Sequence, residues 1–483
     1  MKPIQKILSG IEYKVEGTLP EQVSSISNNS KNISQGDIFF AIRGTETDGH
    51  KYIKSAIDNG AVAVVVEEKQ TRLNIPQIIV NNSRQALSIA AKNYYGDPSR
   101  DLKVIGITGT NGKTSTVNIF NQIISSTGIL TGTIGTLGYT IGDDQYDCSL
   151  TTPSIIDLQK IFKKMLDKNV EIAAMEVSSH AIALGRVHDI HFHGGCFTNL
   201  SQDHLDFHKT MEEYAETKAK LFSMIDRKGF ALYNKDSSYA GKFITRSSAE
   251  LFSFSINDKK ANYYWSDNTS FHSSISGKIH TPNKEIKINC PLSGKFNLQN
   301  ILAATAIADQ LKINASDISK ALAKLKPIPG RLQEIKAGKG PRVFIDYAHT
   351  PDAISSILVE LRALLPDGGR LIALFGCGGN RDRKKRPLMS KAVEQYADLP
   401  VLTTDNPRYE DPEKIIMDAE KGFSGEKNYK KIVDRKEAIK WSINKSNEKD
   451  IIAILGKGHE TYQDIKGKKY PFSDHKIVQE NLS

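Results

Sequence analysis

Residues 106–116 read GITGTNGKTST and hold the residue types that a nucleoside triphosphate requires. Gly109 and Gly112 let backbone N–H groups meet phosphate oxygens with no Cβ in the way, and a helix opening at Lys113 adds its positive end. In this pattern Lys113 neutralises β/γ-phosphate charge and the Thr114 hydroxyl binds Mg²⁺, with Thr110, Asn111 and Ser115 completing the cradle of an ATP site. The spelling departs from a strict P-loop, because Ile107 stands where that motif has its first glycine. Far downstream, four apolar runs, VFIDY, LIALFG, VLTTD and IIAILG, each give way to polar residues. These are Asp346 and His349, then Gly376 to Arg381, Asp405 to Arg408, and Gly456 to Glu460. In an open parallel sheet such strand ends share one rim, where ligands bind.

Positioning these loops takes several layers. The runs IFFAI (38–42), AVAVVVEE (61–68) and IPQIIVNN (75–82), followed by the helical SRQALSIAAKNYYG, predict a small α/β domain over residues 1–100. DPSRDLK (97–103) reads as a linker, and VIGITG opens a second domain spanning 101–330. Within it Ile155, Leu158, Ile161, Phe162, Met165 and Leu166 recur at helical spacing, and VEIAAMEVSS reads as a buried strand. Alternation of strand and helix predicts mostly parallel sheets. After the break KPIPGRLQE (326–334), the four apolar runs form a third domain, 331–483, of Rossmann type. The expected class is therefore α/β, in three domains.

A chain of 483 residues with 39% apolar content can bury several cores. Its net charge of +10 suits anionic partners such as nucleotides and carboxylates. RDRKKR (381–386) is its one dense basic tract, so no nucleic-acid partner is expected. Cys148, Cys196, Cys290 and Cys377 stand far apart, which argues against a disulfide framework or a cysteine zinc site and for a reducing cytoplasm. His191 and His193 would share one face of a strand, yet no ligand set at familiar spacing completes a zinc site. The N-terminus has no sustained apolar segment and no stretch is long enough to span a bilayer, so a cytoplasmic protein without membrane insertion is expected.

GTNGKT, MEVSSHAIALGR (175–186), TNLSQDHLDFH (198–208), YAETKAKLF (214–222), GKFNLQN (294–300), PGRLQ (329–333) and DYAHTPD (346–352) follow one another along nearly the whole chain. Together they resemble the Mur ligase family. The resemblance implies an ATP-dependent amide-bond ligase of peptidoglycan precursor synthesis: the γ-phosphoryl group moves to the acceptor's carboxylate, and the incoming amine attacks the acyl phosphate. It further implies Mg²⁺, held by Thr114, Glu176, His204 and Lys218, and a catalytic set of Lys113, Glu176, His204 and Lys218. Lys218 aligns with the lysine that the family carbamylates with CO₂ (N6-carboxylysine), which turns a cation into an anion able to hold the metal. Nucleotide contacts carry over to Asn297, Asn300, Arg331 and Asp346, besides Gly109 to Ser115. Arg331 stands at the break between the second and third domains, so it engages ATP when these domains close and exclude water.

The third domain carries the signal for the amine. DNPRYEDP (405–412) resembles the motif of the family member that adds meso-diaminopimelate to UDP-N-acetylmuramoyl-L-alanyl-D-glutamate. Diaminopimelate differs from lysine by one distal carboxylate, and Arg408 is a suitable bidentate partner for it. The resemblance places Asp405, Asn406 and Pro407 beside Arg408, gives Arg381 a second carboxylate, and gives Gly456 and Glu460 the distal amino group. Thr151, Thr152, Ser178 and Arg186 would take the acceptor dipeptide, and Ser30 the uridine end, in a protein expected to act as a monomer. Two departures stand out: Asn29 and Lys31 flank Ser30 where Asp-Ser-Arg is usual, and Leu184 replaces a frequent glutamine. The L-lysine-adding counterpart and a folylpolyglutamate-synthetase-like ligase remain alternatives, the latter without a uridine-binding domain. From other classes, a P-loop switch would hydrolyse ATP without acceptor, and a precursor-binding protein would not turn over.

Overall fold

The computed structural model describes residues 1–44, 47–71, 73–266, 274–335, 340–425 and 428–482. A five-stranded sheet comes first, ordered Tyr13–Glu16, Gln77–Val80, Ala61–Val66, Asp37–Phe40, Ile26–Ser27 and parallel except at Tyr13–Glu16. Its AVAVVV strand is apolar on both faces, and both are covered. The helix Ser83–Tyr95 packs on one of them; Asn82 accepts the N–H groups of Arg84 and Gln85 at its start, and Gly96, at φ 84°, ends it.

Among the described residues the second sheet has eleven strands. It is parallel from Thr131–Gly135 through Ile172–Glu176, Lys103–Thr108, Phe192–Phe197, Ile225–Asn234 and Glu250–Ser255 to Tyr263–Trp265, with antiparallel hairpins at both ends. Lys103–Thr108 lies near its middle, so the loop after it opens at the centre of the carboxyl rim. The expected helix is Ile155–Asp167, capped by Ser154, and the expected buried strand is Ile172–Glu176. Helix Lys295–Gln310 buries nearly every side, and Trp265 Nε1 donates to its Leu298 carbonyl at 3.2 Å.

The third sheet runs Gln333–Ile335, Arg342–Asp346, Ile451–Leu455, Leu371–Cys377, Leu399–Thr404, Lys430–Lys431 and is parallel after its first pair. All four predicted runs are strands, and their carboxyl ends do share a rim. Residue 100 lies between strands of the first and second sheets, and residue 330 between strands of the second and third. Among the described residues no helix is long and apolar enough to cross a membrane.

Candidate active site

The carboxyl rims of the second and third sheets face one cleft of about 460 Å³. The loop after Lys103–Thr108 forms one wall. Gly112 precedes helix Lys113–Ser125 at φ 85°, and a side chain there would collide with Asn300 Oδ1. A side chain at Gly109 would strike Thr198 Oγ1. Lys113 Nζ donates to the Gly109 and Thr110 carbonyls, each at 2.9 Å, which places an ammonium within the curl of the loop. The TNLSQDH segment braces this curl: Thr198 Oγ1 and Asn199 Nδ2 donate to the Asn111 carbonyl at 2.7 and 3.1 Å, and Asn199 Oδ1 accepts the Asn111 N–H.

From this loop a row of oxygens crosses the cleft. Glu176 ends its strand buried, and its Oε1 accepts Thr114 Oγ1 at 2.9 Å and the Thr136 N–H at 2.8 Å. Thr136 Oγ1 lies 3.2 Å from Glu176 Oε2 and 3.3 Å from Thr151 Oγ1. Thr152 Oγ1 donates to the Glu176 carbonyl at 2.8 Å, Ser178 caps helix Ser179–Ala183, and Arg186 Nη1 donates to the Thr152 carbonyl at 3.1 Å. The phosphate side and the expected acceptor side are thus one connected network. Arg331 Nη2 donates to Thr114 Oγ1 at 2.7 Å, its guanidinium lies over the Tyr347 ring, and its buried Nε has no hydrogen-bond partner among the described residues. Asp346 accepts the N–H groups of Leu332 and Ala348, and burial pushes its carboxyl above the usual range against the pull of Arg331.

Thr114 and Glu176 therefore fit Mg²⁺, since their paired oxygens are the hard donors it prefers. The His204 and Lys218 hydrogen bonds go elsewhere. His204 sits at φ 55° with its Nε2 3.4 Å from Asp203 Oδ2, and burial holds its pKa well below the usual value, so the imidazole is neutral and its lone pair can bind metal. Lys218 Nζ donates to the Gly109 carbonyl at 2.8 Å, the oxygen that Lys113 also uses. Burial first, and Lys113 second, hold the Lys218 pKa well below a normal lysine.

The opposite wall holds the third-sheet loops. Arg408, at φ 51°, donates from Nη1 to the Gly379 carbonyl at 2.8 Å, and Arg381 stands beside it in the cleft. Loss of surrounding water, then the charge of Arg408, lowers the Arg381 pKa. Two neighbouring guanidinium groups thus line the cleft, a charge arrangement suited to an anion. Asn406 Nδ2 donates to Glu460 Oε2 at 2.8 Å, and buried Lys457 reaches the same oxygen at 2.7 Å. Gly456, at φ 110°, lies close against Asp405 Oδ2.

Several expected residues stand back from the cleft. Asn297 accepts Asn300 Nδ2 at 3.0 Å and so orients the residue that does line it. Gly109, Thr152, Arg186, Pro407 and Lys218 lie behind the lining. Ser30 is buried in the first sheet's turn Ser30–Asn32, where Asn29 caps the turn through its side chain. His191 pairs with Asp97 at 3.3 Å, and His193 lies edge-on to Phe230. Sequence reasoning missed Thr136, Asp203, Lys385 and Lys457. Lys385 was concealed in RDRKKR, whose charges are largely paired: Arg383 with Asp418, Lys385 with Asp203, Arg386 with Glu410 and Asp418.

The sequence matches the Mur ligase family catalytic domain over residues 22–95, the Mur ligase middle domain over 107–308 and the Mur ligase glutamate ligase domain over 330–458. It is 40% identical over 482 residues to the UDP-N-acetylmuramoyl-L-alanyl-D-glutamate–2,6-diaminopimelate ligase of Fusobacterium nucleatum, covering 99% of this chain and 98% of that protein. Against the protein of the same name from Aquifex aeolicus it is 43% identical over 464 residues, covering 96% and 94%. A solved structure of a ligase of this name superposes with a TM-score of 0.70 at 32% identity, covering 100% of this chain and 98% of that one. With its phosphate loop, its Thr114–Glu176 pair and its third-sheet rim on one cleft, the chain belongs to the Mur ligase family.

Proposed function

We propose that this protein is an ATP-dependent ligase that joins meso-diaminopimelate to the D-glutamate side-chain carboxylate of UDP-N-acetylmuramoyl-L-alanyl-D-glutamate. One observation carries the reading: Arg381 and Arg408 face an anion site across a cleft whose other wall is the phosphate loop. Lysine lacks the distal carboxylate that Arg408 would bind, so it would leave that guanidinium without an anion and near its own ammonium. The named relatives support the same amine.

A carboxylate resists an amine because oxide is a poor leaving group. Transfer of the γ-phosphoryl group forms a bond from the acceptor oxygen to phosphorus and releases ADP. The amine then attacks the carbonyl carbon, phosphate departs with the C–O bond electrons, and the amine loses a proton. Lys113 offsets charge on the phosphates, and Arg331, bonded to Thr114, reaches the same end of the nucleotide. Thr151, Thr136 and Ser178 orient the acceptor beside Glu176. Asn300 and Asp346 take the nucleotide, and Asp405, Glu460 and the arginines hold the amine in line. Mg²⁺, bound by Thr114, Glu176, His204 and carbamylated Lys218, would screen the anions that must approach each other. Carbamylation requires a neutral amine, and the burial of Lys218 favours that form.

The test is one mixture of protein, ATP, Mg²⁺ and UDP-muramoyl dipeptide, divided between meso-diaminopimelate and L-lysine and read by product mass. Tripeptide with lysine and none with diaminopimelate would overturn the proposed specificity. Phosphate release without acceptor would overturn the ligase reading in favour of a switch.

A further inference from the structure

We propose that Lys385 is a positioning residue that links docking of the third sheet to the placement of His204 in the second. The inference rests on the ligase reading of the cleft. Lys385 opens helix Lys385–Tyr396, and its Nζ reaches Asp203 Oδ1 at 3.0 Å with the two side chains 8% and 5% exposed. The same Oδ1 accepts the His204 N–H at 3.0 Å, while Oδ2 lies 3.4 Å from His204 Nε2 and 3.7 Å from His349 Nε2. One buried carboxylate thus collects two groups from its own loop and two from the third sheet.

His204 needs such an anchor, because its left-handed backbone is unfavourable for a residue with a Cβ. Other contacts also cross the cleft: Arg331 to Thr114 at 2.7 Å, Asn111 to Asp352 at 3.3 Å and His459 to the Thr136 carbonyl at 3.2 Å. Lys385–Asp203 differs in being charged and buried on both sides, so removing one partner leaves a desolvated ion unpaired. Arg381, in the proposed amine site, lies just upstream of Lys385 on the same loop. Amine capture at Arg381 and the His204 loop are therefore connected through a few covalent bonds and one ion pair.

The experiment compares the full-length protein with Lys385→Met and Lys385→Arg. Amide hydrogen exchange of residues 199–208 is followed with a non-hydrolysable ATP analogue and acceptor, with and without meso-diaminopimelate, beside steady-state rates and analogue binding. In Lys385→Met, exchange at Asp203 and His204 should speed up at least about tenfold and kcat should fall roughly a hundredfold, the scale of breaking a buried pair. Analogue affinity should stay within about threefold, because the phosphate loop is held by Thr198 and Asn199. Lys385→Arg, which keeps the charge, should recover most of both losses. Unchanged exchange in Lys385→Met, equal loss of nucleotide binding, or no recovery with arginine would overturn the proposal. If Lys385→Met does not fold, the natural protein decides: protection of 203–204 that rises when the amine joins the bound nucleotide and acceptor supports the link, and no rise overturns it. Exchange needs no turnover, so failure to form product would count against the ligase reading and not against this coupling.

Discussion

Replacing Arg408 with methionine separates binding from stability in a way that few site residues allow. Among the described residues the Arg408 guanidinium makes one hydrogen bond, Nη1 to the Gly379 carbonyl, which leaves other donors for a ligand beside Arg381. A bidentate charge-assisted contact to a carboxylate would be lost, at roughly 1.5–3 kcal/mol for a hydrogen bond to a charged group. The unpaired ligand carboxylate adds to that, so kcat/KM for meso-diaminopimelate should fall about 30- to 1000-fold, or ~2–4 kcal/mol. Stability has the opposite logic. The Gly379 bond is lost, worth ~1 kcal/mol, while a cation that opposes Arg381 is removed, so the two changes partly cancel and the unfolding free energy should move by less than about 1 kcal/mol. Methionine keeps a Cβ at φ 51°, so backbone strain is unchanged. The assay is initial rate against diaminopimelate at saturating ATP and acceptor, with urea unfolding in parallel. An unaltered kcat/KM for diaminopimelate, or an equal loss for ATP, would refute the assignment.

Lys218→Ala should lose most activity and regain part of it when a small carboxylate is added, because the carboxylate replaces the carbamate oxygens; full activity in the alanine variant would remove the need for carbamylation. Arg435 and Asp474 form a fully buried bidentate pair at 2.8 and 2.7 Å, so Asp474→Asn should cost about 3–5 kcal/mol in urea unfolding, and a change under ~1 kcal/mol would refute the pairing's weight. Burial lowers the His208 pKa from 6.5 to about 4. The unfolded chain therefore binds a proton that the folded chain refuses between those values: this contribution is complete above pH 6.5 and is lost as pH falls toward 4. His208→Phe should flatten the pH dependence of stability in that window by up to ~1.4 kcal/mol per pH unit, and an unaltered slope would count against it.

What could be read in advance follows from range. The phosphate loop is legible because a turn that tight needs glycine at fixed offsets, and Gly112 stands at φ 85° as such a turn requires. The third sheet is legible because apolar runs bounded by polar loops mark buried parallel strands, and all four appear with their ends on one rim. Thr136 was illegible: it meets Glu176 across two adjacent strands, and nothing local in TIGT marks it. Asp203 and Lys385 are 182 positions apart, and each alone looks like a solvated charge. The strands between residues 250 and 290 went unassigned, although EIKINC alternates buried and exposed as an edge hairpin should.

The arrangement also explains why the two halves of the chemistry stand on different sheets. An acyl phosphate is useful only while water is kept away and an amine is near. If one sheet carried both the phosphate loop and the amine loops, the activated carboxylate would form whether or not the amine had arrived. Here Glu176, Thr114 and Lys113 come from the second sheet, Arg381, Arg408 and Glu460 from the third, and Arg331 lies between them. Arg331 reaches Thr114 and Lys385 reaches Asp203 across the cleft, so on the proposed reading the phosphate end and the His204 loop are both completed from the side that would hold the amine. A ligase built this way limits wasted ATP through geometry, and its ATP turnover should fall, with no gain in futile hydrolysis, when either crossing contact is cut.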